Sequence, residues 1–391
     1  MFKKVLIANR GEVSIRVARA LADLGIASVA VFSTDDSGSL HVVRADEAVA
    51  LPGSGAPAYL DIAAVVAAGV QAGCDAVHPG YGFLAENADF ARACAAAGMT
   101  FIGPAPETLA LFGDKAAARR LAAGAGVPLA AGTSGATTLA EAETFMASLG
   151  GRPVMVKALA GGGGRGMRVV DRIEGLAEAF RRAASEAKAA FGSDALYVEE
   201  LIRPAKHVEV QILGDATGAV MHLFERECSL QRRHQKLVEI APAPGLDPRL
   251  REEIFAAAVA LGRKAGVRTL TTMEFLVDEA AGRFVFMEAN PRLQVEHTVT
   301  EEITGVDLVQ TQIHLAAGET LAGLGLAQDR VSTRGTAVQL RVNMERMAAD
   351  GSATPTGGTL AAFDPPGGAG IRVETFGCAG YRTVTSFDSL L

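Results

Sequence analysis

The hydrophobic pattern switches period along the chain. Short apolar runs at Val5–Ala8, Val29–Phe32 and Ala76–His78 alternate with three-and-four spaced apolar residues over Val13–Leu24, Ile62–Ala72 and Glu86–Gly98. Asn9 to Glu12 reads as a turn. Alternation of this kind predicts a doubly wound parallel sheet in the first 112 residues. A helix over Asp114–Ala123 precedes a stretch rich in Gly, Ala and Thr, and a linker is placed at 113–130.

A smaller unit, 131–201, follows. It reads as helix Leu139–Leu149, strand Val154–Lys157, a glycine loop, strand Met167–Val170, helix Leu176–Ala189 and strand Leu196–Glu199. A third, 202–330, holds strands Val208–Leu213 and Val220–Glu225, a polar stretch, helix Arg251–Ala265, two acid-bearing strands and helix Leu308–Ala316. The last segment, 331–391, holds strand Ala337–Val342 and then Gly- and Pro-rich sequence with short strands such as Ile371–Glu374.

From Glu288 to Glu296 every second residue is polar: Glu288, Asn290, Arg292, Gln294 and Glu296. In an extended chain these five share one face over roughly 26 Å. Glu274 offers a second acid from a separate apolar strand, and pairing of the two strands would set Glu274 beside Glu288 as oxygen ligands for Mg²⁺. Solvated acids at strand ends are the plainer alternative.

Composition narrows the function. At 391 residues and 49% hydrophobic, the chain is long enough for two or three domains, and a net charge of −7 argues against a general nucleic-acid binder. Four scattered cysteines suit reduced thiols, and neither a signal peptide nor a membrane-length apolar run is evident, so a cytoplasmic protein is expected. Only eight residues are lysine, which draws attention to Lys115, Lys157 and Lys236 as points where a compact ammonium is wanted.

The loop Gly161-Gly162-Gly163-Gly164-Arg165-Gly166 lies between two strands without the Gly-Lys-Ser/Thr of a P-loop, so it reads as a flexible cover whose bare backbone cradles phosphate. A floppy turn is its alternative. Glu225 to Lys236 gathers Arg226, Arg232, Arg233, His234 and Lys236 in an acidic protein and reads as a small-anion pocket, against a solvated surface run.

Together these stretches resemble the biotin carboxylase component of biotin-dependent carboxylases, in the ATP-grasp superfamily. The resemblance rests on Ile-Ala-Asn-Arg-Gly-Glu (7–12), His-Pro-Gly-Tyr-Gly-Phe-Leu-Ala-Glu-Asn (78–87), Phe-Ile-Gly-Pro (101–104), Gly-Asp-Lys (113–115), the glycine loop, His-Val-Glu-Val-Gln (207–211), the 225–236 string and Asn-Pro-Arg-Leu-Gln-Val-Glu-His (290–297). It implies a doubly wound N-terminal (PreATP-grasp) domain, an ATP-grasp fold with a mobile lid, and an incomplete β-rich C-terminal segment.

It also implies a cast of residues. ATP would meet Lys115, Lys157, Gly163, Gly164, Arg165, Gly166, Met167, Glu199, Ile202, His207, Gln231, His234 and Leu276. Mg²⁺ or Mn²⁺ would be held by Glu274, Glu288 and Asn290, and bicarbonate by Lys236, Arg292, Gln294 and Val295. Glu296 would be the general base, and Arg341 with Tyr81 would serve biotin, presented on a separate carrier domain. Lys236 and Arg292 would offset charge as carboxyphosphate forms.

The chain departs from the family's usual Arg-Ile-Asn-Ala-Glu at Arg341-Val342-Asn343-Met344-Glu345, and it stops where family members continue, as a fragment of a longer carboxylase would. A multidomain acyl-CoA or pyruvate carboxylase is the subtype suggested, with a carboxyltransferase domain or subunit and a homo-oligomer expected. Neither nucleic acid nor membrane is expected as a partner. Another ATP-grasp ligase, such as a carbamoyl phosphate synthetase half, and a noncatalytic nucleotide-binding assembly module are the competing readings.

Overall fold

The computed structural model describes residues 1–159, 166–233 and 235–391. The N-terminal expectation holds: strands β1 (Lys4–Ile7), β2 (Ala27–Phe32), β3 (Glu47–Ala50), β4 (Ala76–His78) and β5 (Thr100–Phe101) form one parallel sheet in the order β3-β2-β1-β4-β5. Strand β1 is central and buried on both faces, which is why it reads as a continuous apolar run rather than an alternating one. The first helix starts earlier than its apolar spacing suggested, at Gly11 in Gly11–Asp23, so part of the expected turn is its first coil.

The stretch 113–130 is not a free connection. Helix Lys115–Gly124, capped by the Asp114 carboxylate on the backbone N–H groups of Ala116 and Ala117, buries Ala118 and Ala122 in the largest apolar core. Leu129 then bridges to Phe286, and Gly132 to Glu199.

The small unit is a three-stranded sheet, β6 (Val154–Ala158), β7 (Met167–Val170) and β8 (Leu196–Glu200), in the order β7-β6-β8 and backed by helix Leu176–Phe191. Gly163, Gly164 and Arg165 lie outside the described residues, as does His234.

The site is built on a six-stranded sheet. Its strands are β9 (Lys206–Gly214), β10 (Val220–Arg232), β11 (Gln235–Ala241), β12 (Thr269–Asp278), β13 (Arg283–Asn290) and β14 (Ala337–Leu340), ordered β13-β12-β9-β10-β11-β14. The basic stretch at 225–236, read as polar and assigned no element, is mostly strand: β10 runs on to Arg232 and β11 starts at Gln235. The strand expected at Ile371–Glu374 is irregular chain instead.

Strand β13 carries a bulge. Glu274 pairs with Glu288, but the next residue, Phe275, pairs with Phe286, so Met287 is the extra residue. Phe284 and Phe286 face the core before the bulge and Ala289 after it, which leaves Glu288 and Asn290 on the opposite face.

Candidate active site

Cross-strand register creates a row of charge. Arg226 on β10 pairs with Glu209 on β9, Glu209 with Glu274 on β12, and Glu274 with Glu288 on β13. Three carboxylates side by side repel one another unless cations stand among them. Arg226, fully buried, binds Glu209 Oε1 through Nε at 2.5 Å and donates to Gln211 and Thr300, each at 2.9 Å. Lys236 reaches Glu209 at 2.6 Å, Glu296 at 2.7 Å and Glu274 at 3.1 Å. His207 holds the other Glu274 oxygen at 2.6 Å, and its Nδ1 is 2.8 Å from the Gln231 amide.

The residues of the 288–296 row converge, although not along one extended strand. β13 ends at Asn290, and 291–296 is a turn that folds back. Asn290 and Gln294 both donate to Glu274 Oε1, at 2.6 and 3.2 Å. Glu296, buried, lies between Lys236 and Arg341, the latter at 2.9 Å. Burial alone would raise its carboxyl, but Lys236, Arg341 and Arg226 outweigh that and hold it below the usual range, ionised.

Arg292 departs from the expected grouping with Lys236: its Nε is paired with Glu86, and its Nη2 donates to Asn290 Oδ1 at 3.3 Å. Val295 is a half-buried turn residue beside Gln294 and Glu296.

Glu274, Glu288 and Asn290 fit a hard divalent cation. They are oxygen donors from directly facing strands, and burial and the neighbouring Glu274 charge push Glu288 upward against the pull of Lys115 and Lys157, a repulsion that a divalent cation relieves.

Lys157, at the end of β6, pairs with Glu199 on β8, which Arg119 also approaches at 3.4 Å. Lys115 is held down by burial, opposed by Glu288. Ile202 and Leu276 meet in a small apolar cluster with Ala130 and Val285. Met167 opens β7, and Gly166 just before it has a left-handed backbone. Tyr81 donates its hydroxyl to buried Glu12, and the Arg341 charge reaches both.

Several residues of this network were not singled out from the sequence. Glu209 and Gln211 follow His207 at period two in an apolar strand, the same signal that marked Glu274. Glu239 sits likewise in Leu237-Val-Glu-Ile, is fully buried, and accepts from Arg341 Nε at 2.6 Å. Arg226, Glu12 and Glu86 came inside motifs whose residues could not be ranked without their partners.

A parallel-sheet N-terminal domain followed by antiparallel sheets, one of them carrying a strand row of acids and cations, defines the ATP-grasp class of fold. The family is more specific: residues 1–109 match the biotin carboxylase N-terminal domain and 114–324 the ATP-binding domain of the carbamoyl-phosphate synthase L chain, and the chain belongs to the biotin carboxylase family. It is 49% identical over 394 residues to pyruvate carboxylase 1 of Caenorhabditis elegans, covering 100% of this chain and 33% of that protein. The chain thus spans about a third of the curated relatives it matches.

Among solved structures, the biotin carboxylase–β,γ-ATP complex from Campylobacter jejuni superposes with a TM-score of 0.95 at 37% identity, covering 100% of this chain and 86% of that one. The biotin carboxylase domain dimer of Hydrogenobacter thermophilus 2-oxoglutarate carboxylase, in complex with MgADP, ADP and bicarbonate, gives 0.95 at 44% identity, covering 100% and 85%.

Proposed function

We propose that this chain carboxylates the ureido nitrogen of biotin, using ATP and bicarbonate, as the first half-reaction of a biotin-dependent carboxylase. The observation that carries the reading is the placement of ionised, buried Glu296 between Lys236 and Arg341, two cations on different strands or strand ends. A base held ionised can take the bicarbonate proton, while Lys236 and Arg292 offset the charge of the attacking dianion. Carboxyphosphate and ADP are the products of that step.

Ile202 and Leu276 support adenine binding, and Lys115, Lys157, His207 and the 163–166 loop support the phosphates. Glu199, Met167, Gln231 and His234 complete the proposed nucleotide set. Gln294 and Val295 complete the bicarbonate set. Glu274, Glu288 and Asn290 would hold Mg²⁺, which when bound would supply positive charge to offset that of the phosphates. Arg341, with Tyr81 nearby, stabilises the oxygen of biotin after its nitrogen loses a proton.

Carrier and carboxyltransferase domains would be partners, as in multidomain acyl-CoA or pyruvate carboxylases, and a homo-oligomer is proposed. Four free cysteines support a reducing, cytoplasmic setting, and among the described residues no helix is long and apolar enough to cross a membrane.

The test is ADP release by the purified chain with MgATP and bicarbonate, with and without free biotin, beside Glu296→Ala. Biotin-stimulated release that the variant lacks supports the reading; folded, ATP-binding protein without stimulation overturns it.

A further inference from the structure

Arg341 has two carboxylate partners, and the proposed reaction changes only one of them. Its Nε and Nη2 both meet Glu239 Oε1 at 2.6 Å, and Nη2 also meets Glu296 Oε2 at 2.9 Å. Among the described residues Nη1 has no hydrogen-bond partner. Glu239 is fully buried on β11, opposite Gln339 of β14, whose amide donates to Glu239 Oε2 at 3.3 Å. Gln339 is in turn held by Thr298, on the helix that begins after Glu296.

On the proposed reading, Glu296 becomes neutral when it takes the bicarbonate proton. Its attraction for Arg341 then falls from that of an ion pair to that of a hydrogen bond between a cation and a neutral acid. That is the stage before biotin needs a cation. A guanidinium held by Glu296 alone would be free to turn away as the second step begins.

We infer that Glu239 is a positioning residue: it keeps Arg341 in place while Glu296 is protonated, leaving Nη1 to donate to the biotin ureido oxygen as negative charge develops there. Glu239 touches no reacting atom. It acts through Arg341, and this inference rests on the biotin carboxylation reading.

The test compares wild type, Glu239→Gln and Glu239→Asp in two assays: bicarbonate-dependent ADP release without biotin, and the increment caused by free biotin. Glu239→Gln keeps the shape but loses the charge. Its biotin increment is expected to fall about tenfold further than its biotin-free rate, the worth of one charge-assisted bond, with the loss in kcat rather than in the KM for ATP. Glu239→Asp, which restores the charge, is expected to recover part of the increment.

Equal loss in both assays would reduce Glu239 to a prop for the sheet, and an unchanged increment in Glu239→Gln would remove it from the second step; either overturns the inference. Absence of any biotin increment in the wild type is a different failure. It overturns the carboxylation reading itself, and this inference with it.

Discussion

Glu274 and Glu288 stand directly opposite each other on β12 and β13, with Glu209 on the far side of Glu274. Glu209 and Glu274 each have cationic partners at hydrogen-bond distance, whereas burial and Glu274 drive Glu288 upward. Glu288→Gln should therefore relieve repulsion in metal-free protein while removing a metal ligand. Metal-free melting should not fall, and the Mg²⁺ concentration for half-maximal ATP cleavage should rise at least about tenfold. An unchanged Mg²⁺ titration takes Glu288 out of the metal set.

Arg226 has no exposed side-chain surface, and its removal strands Glu209. Arg226→Ala should cost about 3–5 kcal/mol in urea unfolding, the usual result of leaving a buried charge uncompensated. Lys236 also touches Glu209, so a loss below about 1 kcal/mol would show that one cation suffices.

Burial pushes the Glu12 carboxyl up to about 7, opposed by its bond from Tyr81. An unfolded glutamate releases its proton near 4.5, so between there and about 7 the folded chain holds the extra proton and stability falls as pH rises. Glu12→Gln should abolish that decline and be more stable than wild type by on the order of 1 kcal/mol at about pH 8. Parallel wild-type and variant stability curves from about pH 5 to 8 would show that Glu12 ionises without cost.

Gly166 has φ +68°, and a Cβ there would lie 2.9 Å from Ala158 Cβ and 3.3 Å from Ala187 Cβ. Ala158 ends β6 and Ala187 lies on the helix that backs its sheet, and Gly166 O accepts the Ala158 N–H at 3.0 Å. Gly166→Ala should raise the KM for ATP about tenfold, through roughly 1–2 kcal/mol of backbone strain next to the loop. Unaltered ATP kinetics would mean that the lid absorbs the shift.

The sequence was most legible where a local pattern decided structure. Central strand β1, helix Leu308–Ala316 and the facing of Glu274 and Glu288 followed from periodicity and strand pairing alone. The family resemblance, carried by long strings of residues, supplied what periodicity could not. Arg292 shows the limit: alternation placed it with its neighbours, but a turn after Asn290 sends it to Glu86, distant by 206 residues. The polar string at 225–236 received no element for a related reason, since only ion pairing to Glu209 and Glu345 lets Arg226 and Arg232 sit in a strand. Glu239 was missed because an acid in an apolar strand gains meaning only from the arginine that meets it.

The bulge at Met287 makes this site depend on counting as well as on identity. Paired one for one with β12 beyond Phe286, with Met287 taken into the ladder, the same sequence would turn Glu288 and Asn290 toward the core and Ala289 toward the site. A change that straightened β13 without shortening it would therefore take two proposed metal ligands out of the site while leaving every residue of it in the sequence.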